Sequence, residues 1–156
     1  DETEAHCFQS GVPHTAYQQF GYQILHNNDY VAFMPEYAHS YRVIPTDNRK
    51  HIPADVKLFM GDGVGHWEGD TLVVDTTNFK PQLHPLAISD KLRMTERFTR
   101  VAADEIRYEI KMDDPDTWVK PWSVMMRLRQ TTDMLFESAC HEGNAAIMKT
   151  ILQGDK

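Results

Sequence analysis

Two cysteines, Cys7 and Cys140, are all that this 156-residue chain contains, and no C-x-x-C spacing occurs. A Cys-rich zinc module and a dithiol redox motif are therefore excluded. No stretch approaches the ~18–20 consecutive apolar residues that a membrane helix needs. The start, Asp1-Glu2-Thr3-Glu4, has none of the basic-then-apolar pattern of a signal peptide. Positive charge is scarce: 16 Lys and Arg stand against 23 Asp and Glu, a net charge of −7. That balance argues against nucleic acid and anionic lipid as partners. The chain lacks a G-x-S-x-G elbow, which leaves Ser10 and Ser40 without a hydrolase context. It also lacks H-x-H and H-E-x-x-H spacings, internal repeats, low-complexity stretches and linkers, so residues 1–156 read as one domain.

What is present is an ordinary globular composition, 41% hydrophobic and 25% charged, which rules out disorder, collagen and coiled coil. The eight histidines are a high density and raise the question of whether they do chemistry. The two cysteines either form one disulfide or remain two thiols. A bridge would close a loop worth about 4–5 kcal/mol in the chain-entropy model. It would also imply an oxidising compartment, the visible start being what remains after a leader is removed.

Short apolar or alternating runs separated by turn chemistry dominate the chain. Tyr22–His26, Tyr30–Met34 and Tyr41–Pro45 are punctuated by Asn27-Asn28-Asp29 and Thr46-Asp47-Asn48. Val64–Thr77 reads as a hairpin with Gly69-Asp70 at its tip. Leu92–Val101, Ile106–Met112, Trp118–Arg129 and Met134–Cys140 complete the strands. The expectation is a mainly β fold, an antiparallel barrel of about eight or more strands. Phe79–Ser89, with Pro81 and Pro85, reads as a loop over the barrel mouth. Ile147, Met148, Ile151 and Leu152 form one apolar stripe, predicting a short C-terminal helix between Asn144 and Gly154.

The run from Gly61-Asp62-Gly63 through Trp67-Glu68-Gly69-Asp70-Thr71-Leu72-Val73-Val74-Asp75-Thr76-Thr77-Asn78-Phe79 resembles the hallmark of a large family of secreted bacterial proteins. Cys7 with Gly11-Val12-Pro13, Glu36-Tyr37-Ala38-His39, Arg42 to Pro45, Glu96-Arg97-Phe98, Asp114-Pro115 with Pro121-Trp122, and Ala139 to Asn144 extend the likeness over nearly the whole chain. It departs at His14 and at Asp47-Asn48, while His39, His51 and His141 stand where some relatives carry histidine. The resemblance implies export to the periplasm or beyond and a lipocalin-like barrel.

Alternation along the strands singles out a few polar residues. Leu92, Met94, Glu96 and Phe98 share one face, so Glu96 stands on an apolar face and needs a partner. Its plainer role is an ion pair with Arg42 or Arg97; its sharper one is proton transfer. Arg42 shares a face with Ile44 and, if inward, needs Glu36 or Glu96, or else a ligand oxygen. Tyr37, His39 and Tyr41 alternate onto one face as a proton-transfer group or an ordinary strand-end cluster. His141 and Glu142 follow Cys140, between the last expected strand and the C-terminal helix, where a rigid junction suits catalysis and a helix N-terminus equally. The other five histidines read as turn or surface residues. The glycines of Gly61–Gly65 precede a hairpin and not a helix, so phosphate cradling is not expected. Trp67, Trp118 and Trp122 with Phe98 and Tyr108 serve either a cavity or a core, and core is expected for at least two of the tryptophans.

The leading functional expectation is action on a small, partly apolar molecule by acid/base chemistry without an organic cofactor, as a lyase, isomerase or hydrolase. Glu96 or His39 would move the proton, Arg42 would stabilise negative charge, and Tyr37 or His141 would orient the substrate. A non-catalytic carrier of a lipid, pigment or aromatic metabolite is the alternative, and its interior should be almost wholly apolar. A metal-dependent enzyme using His39, His51 and His141, with Glu36 or Glu142, is the third reading.

Overall fold

The computed structural model describes residues 7, 9–18, 20–37, 40–81 and 87–140. Eight strands are described, and all of the pairings between them are antiparallel. β1 (Tyr22–His26), β2 (Tyr30–Pro35) and β3 (Arg42–Pro45) form one sheet in chain order. β4 (Asp62–Glu68), β5 (Thr71–Thr77), β6 (Arg93–Ala102), β7 (Glu105–Asp113) and β8 (Trp122–Arg129) form the second, again in chain order. The turns follow their residues. Asn27 Oδ1 accepts from the backbone of Asp29 and Tyr30, closing the β1–β2 hairpin. Gly69 at φ +58° supplies the left-handed residue of the β4–β5 tip.

The core lies between the two sheets. Val31, Phe33 and Ile44 of the smaller sheet pack in one cluster with Leu72, Val74, Met94, Phe98, Tyr108 and Ile110 of the larger. Each sheet thus buries one face against the other. β3 crosses β4 closely, and the sequence provides for it with two glycines on one face of β4. A Cβ on Gly65 would stand 2.9 Å from Ile44 Cγ2 and 3.2 Å from Thr46 Cγ2. One on Gly63 would stand 3.3 Å from both Arg42 Nη2 and Thr76 Oγ1. The glycine-rich stretch is a packing device.

Two expected strand segments differ. Met134–Cys140 is not a strand: beyond a single bridge between Tyr37 and Ser138, its backbone donors turn elsewhere. Phe136 N–H donates to Glu36 Oε1 at 2.7 Å and Ser138 N–H to Glu36 O at 2.9 Å, so Glu36 holds it as a strap. The strand expected from Trp118 begins only at Trp122, because Thr117 and Trp118 N–H groups donate back to Asp114 O in a turn. Trp118 and Trp122 meet edge to face at 5.3 Å and pack against the core, while Trp67 is half exposed. The expected C-terminal helix and residues 82–86 of the expected mouth loop lie outside the described residues. Cys7 and Cys140 are joined by a disulfide, with Cα atoms 5.6 Å apart. Among the described residues, no helix is long and apolar enough to cross a membrane.

Asp114 organises the turn after β7. Its buried carboxylate accepts from Ser89 N–H (2.7 Å), Ser89 Oγ (2.6 Å), Thr117 Oγ1 (2.9 Å) and Asp116 N–H (3.2 Å). Burial pushes its pKa up, but the hydrogen bonds from Ser89, Thr117 and Asp116 outweigh it and hold the group below its ordinary value. Since the folded pKa lies below the unfolded one, this stabilisation is complete above about pH 4 and fades as pH falls through the folded pKa. Asp114→Ala is expected to cost about 1–3 kcal/mol at pH 7, by loss of a buried acceptor from four donors. Urea denaturation should show the gap between variant and parent closing as the pH is lowered toward 3.

Candidate functional site

Strand alternation brings Glu96 inward between Met94 and Phe98, where it is completely buried. Across the sheet it is registered with Val74 on β5 and Ile110 on β7, both apolar. A carboxylate there must find its partners from farther away, and it finds two, which give it three hydrogen bonds. Arg42 Nη1 and Nη2 donate to Oε1 at 3.0 Å and Oε2 at 2.5 Å, and Tyr108 Oη donates to Oε1 at 2.6 Å. Arg42 Nη2 also donates to Thr76 Oγ1 at 2.9 Å. The guanidinium of β3 is therefore clamped onto β5 and β6, and the ion pair spans the two sheets. Burial works to lower the Arg42 pKa, but the charge and hydrogen bonds of Glu96 outweigh it and raise the value. Burial first, and then the Glu96 charge, push the Tyr108 hydroxyl well above the ordinary tyrosine range, so it stays a donor.

Beside this pair a narrow cleft opens to solvent, with an internal volume of about 20 Å³. Tyr22, Phe33, Met60 and Phe98 line it from the strands and from the loop before β4, and Val12 and Ala16 from the N-terminal segment. The segment turns through a short 3-10 helix, His14–Ala16, whose Thr15 Oγ1 donates to Gly11 O at 2.6 Å. The rings of Tyr22 and Phe33 lie 6.2 Å apart and those of Phe33 and Phe98 5.0 Å, tilted against one another. The accessible wall is almost wholly apolar. Arg42 reaches it with the one-tenth of its side chain that stays exposed.

Tyr22 Oη is buried without a hydrogen-bond partner among the described residues. Burial, and secondarily the Glu96 charge, raise its pKa, so the phenol is neutral throughout the physiological range. Tyr22→Phe removes an unsatisfied buried hydroxyl and keeps the ring. It is expected to leave stability unchanged or raise it by up to about 1 kcal/mol in urea denaturation. A loss larger than that would show that the hydroxyl finds a partner in solution.

Of the residues singled out by sequence, Glu96 and Arg42 meet as partners, and Arg97 pairs instead with Glu68 at 2.7 Å. Tyr37 is buried elsewhere, its ring stacked on Phe20 at 5.1 Å and its hydroxyl 3.9 Å from Cys140 Sγ, beside the disulfide. Glu36 is occupied by the backbone donors of Gly21 and Phe136. His39, His141 and Glu142 lie outside the described residues. His51 Nδ1 is 2.7 Å from Asp62 Oδ2, which also accepts from Ile52 N–H, a loop anchor. Among the described residues, no three His, Cys, Asp or Glu side chains converge as a metal site requires. Sequence reasoning missed Thr76, Tyr22 and Met60. Tyr108 was readable as inward, since it alternates with Ile110 and Met112 on β7 and a buried phenol needs an acceptor. Comparison of the chain with models of protein families, with curated proteins and with solved structures returns no match.

Proposed function

We propose that this chain is an exported bacterial protein that holds a small, largely apolar molecule in the cleft between its two sheets. The observation that carries this reading is the cleft wall, apolar almost throughout and built of tilted aromatic rings and Met60. A binding protein needs such a wall; acid/base chemistry needs an unengaged base on it. Glu96 accepts three hydrogen bonds and is fully buried. The disulfide supports an oxidising compartment, periplasmic or extracellular. The chain-order meander, with β3 laid against β4, supports a barrel of lipocalin type.

One observation favours the catalytic reading. Arg42 touches the cleft and is backed directly by a carboxylate, so it could polarise a bound oxygen while Glu96 takes a proton. That lyase-, isomerase- or hydrolase-type chemistry requires Arg42 to release one Glu96 oxygen. Tyr37 is placed at the disulfide and so brings no orienting contact to the cleft.

Methionine-methyl NMR with toluene as probe tests the binding reading. The Met60 methyl should shift saturably while the exposed Met125 on β8 stays in place. Ala16→Phe, which fills the cleft, should abolish the response. Equal shifts at both methionines, or none at Met60, would sink the proposal.

A further inference from the structure

The charges at the cleft cancel. Arg42 is the single ionised side chain on its wall among the described residues, and Glu96 neutralises it through both carboxylate oxygens. An anion entering the cleft would meet no net positive charge and would face the buried carboxylate behind the guanidinium. An ammonium would meet the guanidinium itself. Either would also lose its hydration against carbon. The hydrogen-bonding character is equally one-sided. The Arg42 Nη2 group is used twice and Nη1 once, which leaves the Nε–H and one Nη1–H unused. The hydroxyl protons of Thr15 and Ser40 already go to Gly11 O and Tyr37 O, whereas that of Tyr22 has no acceptor among the described residues. The small exposed part of Arg42 therefore brings hydrogen-bond donors to an otherwise apolar wall.

Building on the binding reading, we infer that the cleft selects an uncharged aromatic molecule bearing a carbonyl oxygen, which accepts from the unused N–H groups of Arg42. The tilted rings of Tyr22, Phe33 and Phe98 offer edges and faces to one aromatic ring. A ligand carbonyl would complete the guanidinium's donors without disturbing its pair with Glu96.

Four isosteric probes test this: acetophenone, ethylbenzene, benzoate and benzylammonium, each titrated while the Met60 methyl is followed by NMR. Acetophenone should bind at least about 10-fold more tightly than ethylbenzene, because the hydrocarbon leaves the donors unpaired. Benzoate and benzylammonium should give no Met60 shift at concentrations where acetophenone saturates. In Glu96→Gln the guanidinium charge is released, and benzoate should gain binding by 10-fold or more. If ethylbenzene matches acetophenone, the carbonyl preference is wrong while the apolar site stands. Should benzoate bind the parent protein as well as acetophenone does, Arg42 is free to serve the ligand and the neutral-ligand inference falls. If no probe moves Met60, the binding reading beneath it fails too.

Discussion

Glu96→Gln is expected to lower folding stability by about 3–5 kcal/mol, measured by urea denaturation at pH 7. The amide oxygen can still accept from Tyr108 and Arg42 Nη1, but the acceptor of Nη2 is replaced by a donor and the Arg42 charge stays buried between the sheets without a counterion. Arg42→Met should cost a similar amount for the mirror-image reason: a fully buried carboxylate would retain only the Tyr108 hydroxyl. The double variant Arg42→Met/Glu96→Leu is the informative one. Two apolar side chains of similar volume remove both desolvation costs, so it should recover most of the loss and come close to the parent. A double-mutant cycle then gives a large coupling energy even though the pair's net contribution is small. Single-variant losses below about 1 kcal/mol would mean that water reaches the pair and the core beside the cleft is wet. If the double variant folds and still binds toluene, the ion pair is a brace between sheets and the cleft works without it. Loss of acetophenone preference in the same variant would assign that preference to Arg42.

That pair shows how far alternation carries. Period-two patterning on β6 sets Glu96 on an apolar face and that on β3 sets Arg42 on the face of Ile44; once those faces are buried, each must find an opposite charge. The choice among partners was not legible, because it depends on which strands cross. Arg97, next to Glu96 in sequence, points to the opposite face and pairs with Glu68; Glu36 is consumed by the strap. The same limit explains Met134–Cys140, which has strand-like composition but follows the Glu36 carboxylate and carbonyl in place of a ladder. The shared face expected of Tyr37 and Tyr41 does not form: no strand runs through them, and Tyr37 is buried beside the disulfide while Tyr41 is exposed. The hairpin motif was legible as a turn, but most of its polar residues prove to be structural. Asn78 in the left-handed region donates from Nδ2 to the carbonyls of Ile52, Pro53 and Val56, pinning the loop before β4. Thr76 holds Arg42, and Asp75 holds Thr95. The histidine surplus, so prominent in composition, contributes none of the described cleft residues.

Replacing both cysteines, Cys7→Ser/Cys140→Ser, is expected to cost about 5 kcal/mol in the chain-entropy model, since the bridge closes a separation of 133 residues. The loss should come mainly from the unfolded state, because both ends keep other ties in the folded one. Ser138 and Phe136 remain bonded to Glu36, and Val12 remains part of the core. Gln18 Nε2 continues to donate to the hydroxyl of Ser10. The reduced-like variant should therefore keep native dispersion in its NMR spectrum while its urea midpoint falls steeply. A loss of 1 kcal/mol or less would show that residual structure already confines the unfolded chain. The cleft provides an independent readout, since Val12 and Ala16 form part of its wall. If the remaining ties hold that wall, toluene should shift the Met60 methyl in the serine variant as it does in the parent. If the wall depends on the bridge, the variant would stay folded and lose that shift, and the bridge would count as part of the binding site as well as of the fold.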